Sequence, residues 1–92
     1  MQHLSTLWKD KEMDKELQDY YETLLDLFAS KGWKQYVEDI SDNMELLQDI
    51  TTIPDEKQFW FRRGQIEALQ RVLSYESAIK NSYEDFEREV NA

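Results

Sequence analysis

The chain has no cysteine, a single histidine, a single proline and two glycines in 92 residues. Without cysteine there is no disulfide staple, no cysteine-ligated zinc, no iron–sulfur cluster and no thiol nucleophile, and the composition suits a reducing compartment. The one histidine, His3, removes multi-histidine metal sites and any convincing Ser-His-Asp triad. Gly32 and Gly64 stand alone, so there is no glycine-rich phosphate loop, and no Asp-x-Asp calcium loop with its central glycine is present. So few glycines and prolines, with no Asn-Gly turn, argue against a many-stranded β fold. No apolar run approaches the ~18 residues of a membrane span, and no charged-then-apolar start resembles a signal peptide. The expectation is a soluble, non-enzymatic protein with no cofactor and no metal.

Basic residues are also scarce. Eleven lysines and arginines stand against 20 acids, for a formal net charge of −9. Direct binding to nucleic acid or to an anionic membrane needs a cationic surface, so both are disfavoured, while a protein partner is allowed. Residues 33–54 are almost purely acidic, and residues 55–92 hold most of the bases.

Apolar periodicity places three helices, and the expected fold class is all-α: a short helical hairpin packed on a long C-terminal helix. Residues 1–9 are read as an N-terminal arm and 10–92 as a single helical domain. The first helix, about residues 10–31, carries Met13, Leu17, Tyr20, Leu24, Leu27 and Phe28 in steps that keep one stripe in line. Acids crowd its first half, and Gly32 is placed to end it in the left-handed conformation. The second, about 33–50, carries Trp33, Val37, Ile40, Met44 and Leu47. Thr51 to Pro54 form a connector, with Thr52–Asp55 or Asp55–Gln58 as capping boxes for the third helix, about 55–87. Its seam runs through Leu69, Val72, Ile79, Tyr83 and Phe86, is widened by Ile66 and Leu73, and is interrupted by Glu76.

At about 1.5 Å per residue the first two helices are ~27–33 Å long and the third nearly ~50 Å. Two short helices therefore cover much of the third, and its end around Tyr83 and Phe86 is left for the arm or a second chain, the latter favoured. A homo-oligomer follows from that reading.

The segment Phe59-Trp60-Phe61-Arg62-Arg63-Gly64 carries the most information. Successive helical residues project 100° apart, so three consecutive rings sweep about 200°, more than one helix–helix seam receives. Either two rings are covered and one is partly exposed, or Trp60 or Phe61 anchors a partner, as aromatics and arginine do at interface centres. Candidate partner-binding residues are Phe59, Trp60, Phe61, Arg62, Arg63, Tyr83 and Phe86. Arg62 and Arg63 are expected to pair with Asp39, Asp42 and Glu45 across an antiparallel hairpin, in preference to gripping phosphate. Gly64 inside a helix disfavours it by about 1 kcal/mol relative to alanine, which close approach of another backbone or a kink would explain. Glu38, Asp42, Glu45 and Asp49 form an acidic face, read first as solvated and second as a phosphate mimic. Asp39, Asp42 and Glu45 lack the further oxygen ligands that a closed cation site needs.

Three stretches carry a family resemblance: Tyr20-Tyr21-Glu22 through Phe28, Gly32-Trp33-Lys34 through Ile40, and Phe61-Arg62-Arg63-Gly64-Gln65 with the helix ending near Tyr83-Glu84. Together they resemble small helical proteins encoded by short-tailed bacteriophages, marine ones in particular, over roughly Met13 to Glu87. The resemblance implies a phage protein acting in the cytoplasm of the infected cell or in the virion. Such a protein would be a virion or assembly component or an inhibitor of a host protein. It carries over no catalytic or ligand residue.

Overall fold

The computed structural model describes the backbone of residues 2–91 and the side chains of residues 14–91. The chain is all-α, with helices α1 (Gln2–Ala29), α2 (Lys31–Leu47) and α3 (Glu56–Asn91) and one 3₁₀ turn, η1 (Ile50–Thr52). The short hairpin of α1 and α2 packs on the long C-terminal helix. Its corner is opened, because the contacts of both arms run down α3 in one order. Tyr21 meets Tyr83 and Phe86, Phe28 meets Tyr75, Trp33 meets Glu76, and Arg62 reaches back to Asp49 and Thr52. Rising numbers in α1 and then α2 meet falling numbers in α3, so the two arms share α3 lengthwise.

Two boundaries differ from the sequence expectation. Helix α1 starts at Gln2, so the segment read as an arm is the beginning of the first helix; nothing between Gln2 and Ala29 is a glycine or proline that would break it. The side chains of Leu4, Leu7, Trp8 and Met13 lie outside the described residues. The corner is made by Ser30, not by Gly32. Ser30 has extended backbone (φ −73°, ψ 150°), and its Oγ accepts the Trp33 N–H at 3.2 Å as the N-cap of α2. Gly32 lies within the first turn of α2, and no glycine has positive φ.

The seam of α2 is the expected one: Trp33, Val37, Ile40, Met44 and Leu47 are all half-buried. So is that of α3, from Ile66 through Leu69, Val72, Leu73, Ile79 and Tyr83 to Phe86. In α1 the covered stripe is rotated. Tyr21, Leu24, Leu25 and Phe28 turn inward, while Leu17, Tyr20 and Leu27 stay exposed. Tyr21 packs its ring on Tyr83 and Phe86 at 5.2 and 5.6 Å, and its neighbour Tyr20, about 100° round the helix, is left half exposed with its hydroxyl beside that of Tyr75.

Little of this is deep. Among the described side chains only Phe28, 4% exposed, is buried. The chain measures 66 × 30 × 18 Å with a radius of gyration of 19.7 Å, against about 12 Å for a compact domain of this length. Its accessible surface is 7713 Å², where a compact chain of this mass exposes about 5,700 Å². No helix among the described residues is long and apolar enough to cross a membrane.

Candidate functional site

Apolar surface gathers where α2 ends and α3 begins. Helix α2 stops at Leu47, with the Gln48 N–H donating back to the Met44 carbonyl at 3.0 Å and the Asp49 N–H to the Leu46 carbonyl at 3.3 Å. Asp49 then caps η1: its Oδ1 accepts the Thr51 N–H at 3.0 Å and the Thr51 hydroxyl at 2.5 Å. Those two bonds from Thr51, helped by the Arg62 charge, hold the Asp49 carboxyl below the usual aspartate range. Pro54 comes next, and Asp55 starts α3 by accepting the Gln58 N–H at 2.8 Å. This is the N-cap half of the second capping arrangement read from the sequence.

The turn so built holds Ile50 and Ile53 over the first turns of α3. Between them lies a groove of about 370 Å³, with Leu47, Ile50, Ile53, Phe59 and Ile66 as its apolar lining and Gln48, Arg62, Arg63, Glu67 and Gln70 around it. Ile50 is 74% exposed and Leu46 73%, although both are large and apolar. Phe59 lines the groove, while Trp60 and Phe61, 55% and 65% exposed, point away from it round the helix. Of the three consecutive rings, none is fully covered.

The two arginines do not pair with Asp39, Asp42 or Glu45, contrary to the expectation from antiparallel register. The Arg62 Nη1 donates to the Asp49 carbonyl at 3.3 Å and to the Thr52 hydroxyl, tying η1 to α3. The connector holds an extra turn, so Arg62 lies beside residues 49–52 rather than one helical turn deeper into α2. Arg63 pairs along its own helix with Glu67, Nε to Oε1 at 3.4 Å, and its guanidinium sits over the Trp60 ring at 5.4 Å from the centroid. The Trp60 indole N–H points to Glu56 Oε1 at 3.5 Å, and Phe59 meets Trp60 edge to face at 5.3 Å.

Gly64 has no close neighbour: a Cβ built there meets nothing within 4 Å. The expected backbone approach by α2 is absent, because α2 packs on the opposite side of α3, along Ile66 and Leu69.

Tyr83 and Phe86 belong to a different place. They are half-buried, stack on each other at 6.3 Å and are covered by Tyr21 of α1. The far end of α3 thus has cover from within the chain, since the opened corner lays α1 along that end of α3 while α2 takes the other. Glu76, read as an interruption of the seam, instead joins it: Oε1 accepts the Trp33 indole N–H at 2.8 Å and Oε2 pairs with Lys80 Nζ at 2.6 Å. Lys80 first, then Trp33, holds its carboxyl below the ordinary glutamate range.

On the outer side of α2, Glu38, Asp42, Glu45 and Asp49 are exposed as read, and none makes an ion pair among the described residues. Asp49 is nonetheless occupied with its cap. No cluster of three or more possible metal-binding side chains is found among the described residues.

Ile50, Ile53 and Leu46 were not singled out in the sequence. The available signal was two isoleucines close together around a short connector and a leucine one position off the Met44–Leu47 stripe. What this arrangement offers chemically is a socket with projecting apolar side chains and fixed charges beside it, a surface suited to holding another chain. No known protein family matches this sequence, and no curated protein or solved structure is significantly similar to it.

Proposed function

We propose that this chain is a non-enzymatic structural or assembly protein that works by docking its helices on other protein chains. One observation carries the reading: the described part of the fold buries a single side chain, yet leaves an apolar groove lined by Leu47, Ile50, Ile53, Phe59 and Ile66 open to solvent, with Leu46, Trp60 and Phe61 exposed elsewhere on the same helices. Large exposed apolar patches mark interaction sites, and aromatic and arginine residues are common at their energetic centres. The resemblance to small helical proteins of short-tailed bacteriophages supports a phage assembly role, in the infected cell or in the particle.

The test is the size of the chain in the lysate of cells that express it with the rest of its genome. After cross-linking in the cell, the chain is expected in species of discrete higher mass, and in purified particles if it is a virion component. Recovery as a monomer alone from both sources would overturn the reading.

A second reading has one observation in its favour. Glu38, Asp42 and Glu45 stand exposed without ion pairs among the described residues, as an acidic inhibitor of a host nucleic-acid enzyme would need. Capture of a polymerase or nuclease, lost when these three are changed to Gln, Asn and Gln, would favour it. Asp49 is left unchanged there because its carboxylate holds η1.

A further inference from the structure

We infer that a second copy of this chain packs along one flank of α3, its own α3 running antiparallel to the first in a two-fold dimer. The inference rests on the reading of the chain as an association protein and names its first partner.

Helix α3 is apolar on one side beyond what α1 and α2 cover. Ala68, Val72, Tyr75, Ile79, Ser82 and Phe86 follow one another in alternating steps of four and three residues, the spacing of a coiled-coil seam. Charged residues make up 34% of the chain, and this line has none. It runs beside Leu69, Glu76 and Tyr83, which face the other two helices. Val72, Ile79 and Phe86 are half-buried, Tyr75 is 37% exposed, and Ala68 and Ser82 are open. Tyr20 of α1, half exposed, stands beside Tyr75 on the same side. The opposite flank of α3 differs: Arg63, Gln70, Ser77 and Glu84 are all polar and exposed.

Register and charge select the occupant. Turned end over end about an axis level with Ser77, the line meets itself in complementary order. Phe86 comes level with Ala68 of the second copy and Val72 with Ser82, a large side chain against a small one each time, while Tyr75 meets Ile79 in the middle. The two-fold axis returns each contact. The same turn brings opposite charges together. Arg71 and Asp85 lie two heptads apart on the outer edge of the line, beside Tyr75 and Ser82. Asp85 of the second copy stands within about 3 Å, measured along the helix, of the level of Arg71, and symmetry repeats the pair. Arg71 makes no ion pair among the described residues, and Asp85 has the exposed Arg88 at 3.1 Å on its own helix, a weak pair that a second arginine can share. Parallel helices would set Arg71 on Arg71 and Asp85 on Asp85, which like-charge repulsion disfavours. On the inner edge Glu76 approaches its own copy, but Lys80 and the Trp33 indole N–H already hold that carboxylate within each chain.

Sedimentation equilibrium on the purified chain tests this, from about 1 μM to 1 mM. The expected result is a reversible monomer–dimer equilibrium. Ala68→Glu should raise the dissociation constant at least about tenfold, since it sets a charge against Phe86 of the second copy. Ala68 is exposed in the single chain and glutamate is a good helix former, so the helix content by circular dichroism should stay the same. Arg71→Glu and Asp85→Arg should each weaken the dimer by about three- to tenfold, and the double swap should recover most of the loss. The two positions are about 21 Å apart along one helix, so such recovery can come only from contact between copies. A chain that remains monomeric throughout overturns the second copy as occupant but leaves the cross-linking result for the wider reading intact. A dimer indifferent to Ala68→Glu overturns this flank as the interface, and a double swap no tighter than the single ones overturns the antiparallel register.

Discussion

Two aromatic clusters on α3 are built from similar residues and end in opposite states. At the middle of the helix, Phe28, Trp33 and Tyr75 meet at 5.1 and 5.7 Å, with Glu76 receiving the indole N–H of Trp33. At its start, Phe59, Trp60 and Phe61 stand in succession, with Glu56 near the indole N–H of Trp60. The first cluster contains the one buried described side chain, and the second leaves all three rings exposed. The difference is the number of helices present. At the middle the corner at Ser30 brings α1 and α2 together over α3, so a ring there is covered from more than one side. At the start only the last turn of α2 and the short η1 are available, and rings 100° apart cannot share so narrow a cover. Ring content therefore says little about a core until the neighbours are counted.

The contrast can be broken by substitutions, and the largest effect is expected at the middle. Phe28→Ala should destabilise the chain by about 3–5 kcal/mol in chemical denaturation, enough to leave a protein of this size largely unfolded. A loss below about 1 kcal/mol would mean that the middle cluster is no more a core than the start of α3. Next, Trp33→Phe keeps a ring but removes the donor to Glu76, for an expected loss of about 1–2 kcal/mol.

The same contact has a pH signature. Lys80 and Trp33 depress the Glu76 carboxyl in the fold, so its stabilisation is complete above the unfolded glutamate value of 4.5 and is lost as pH falls through the lower folded value. Melting temperature should therefore decline on acidification below about pH 4.5, and less steeply in Trp33→Phe. An identical slope in both chains would dissociate Glu76 from the effect.

At the start of α3 the expected stability effects are smaller. Gly64→Ala should stabilise the helix by about 0.5–1 kcal/mol, because the added methyl meets open space and the unfolded chain loses freedom. Destabilisation instead would place a close neighbour there. Trp60→Ala is expected to move the monomer's stability by less than about 0.5 kcal/mol, as for other surface positions. A loss of several kcal/mol would make Trp60 part of the core and erase the contrast between the two ends.

Much of the fold was legible in the residues, and the failures have physical causes. The seams of α2 and α3 follow from spacing alone, because each helix is amphipathic and meets its neighbour on one face. The α1 stripe was misplaced by about one residue, since Tyr20 and Tyr21 are equally apolar and only contact with Tyr83 and Phe86 decides between them. Glycine is the common helix stop, which points to Gly32 for the corner, whereas Ser30 two residues earlier caps the next helix without any left-handed residue. Of the candidate docking residues, Phe59, Trp60, Phe61, Arg62 and Arg63 do lie together. Tyr83 and Phe86 lie apart from them, because the opened corner lays α1 over the far end of α3, where Tyr21 covers both rings. The exposure of Ile50 is not legible in the sequence, because a connector has no periodicity from which it can be read.

What the amino-acid sequence determined by itself is therefore local: three helices, the cap at Asp55 and the faces of α2 and α3, all set by interactions within about four residues along the chain. The tertiary structure alone decided which rings are covered, where Arg62 finds its acceptors, that Glu76 belongs to the seam, and that Ile50 stands beside a socket. Those outcomes depend on how far each helix extends past its neighbour, a sum over distant boundaries that no single stretch of residues encodes.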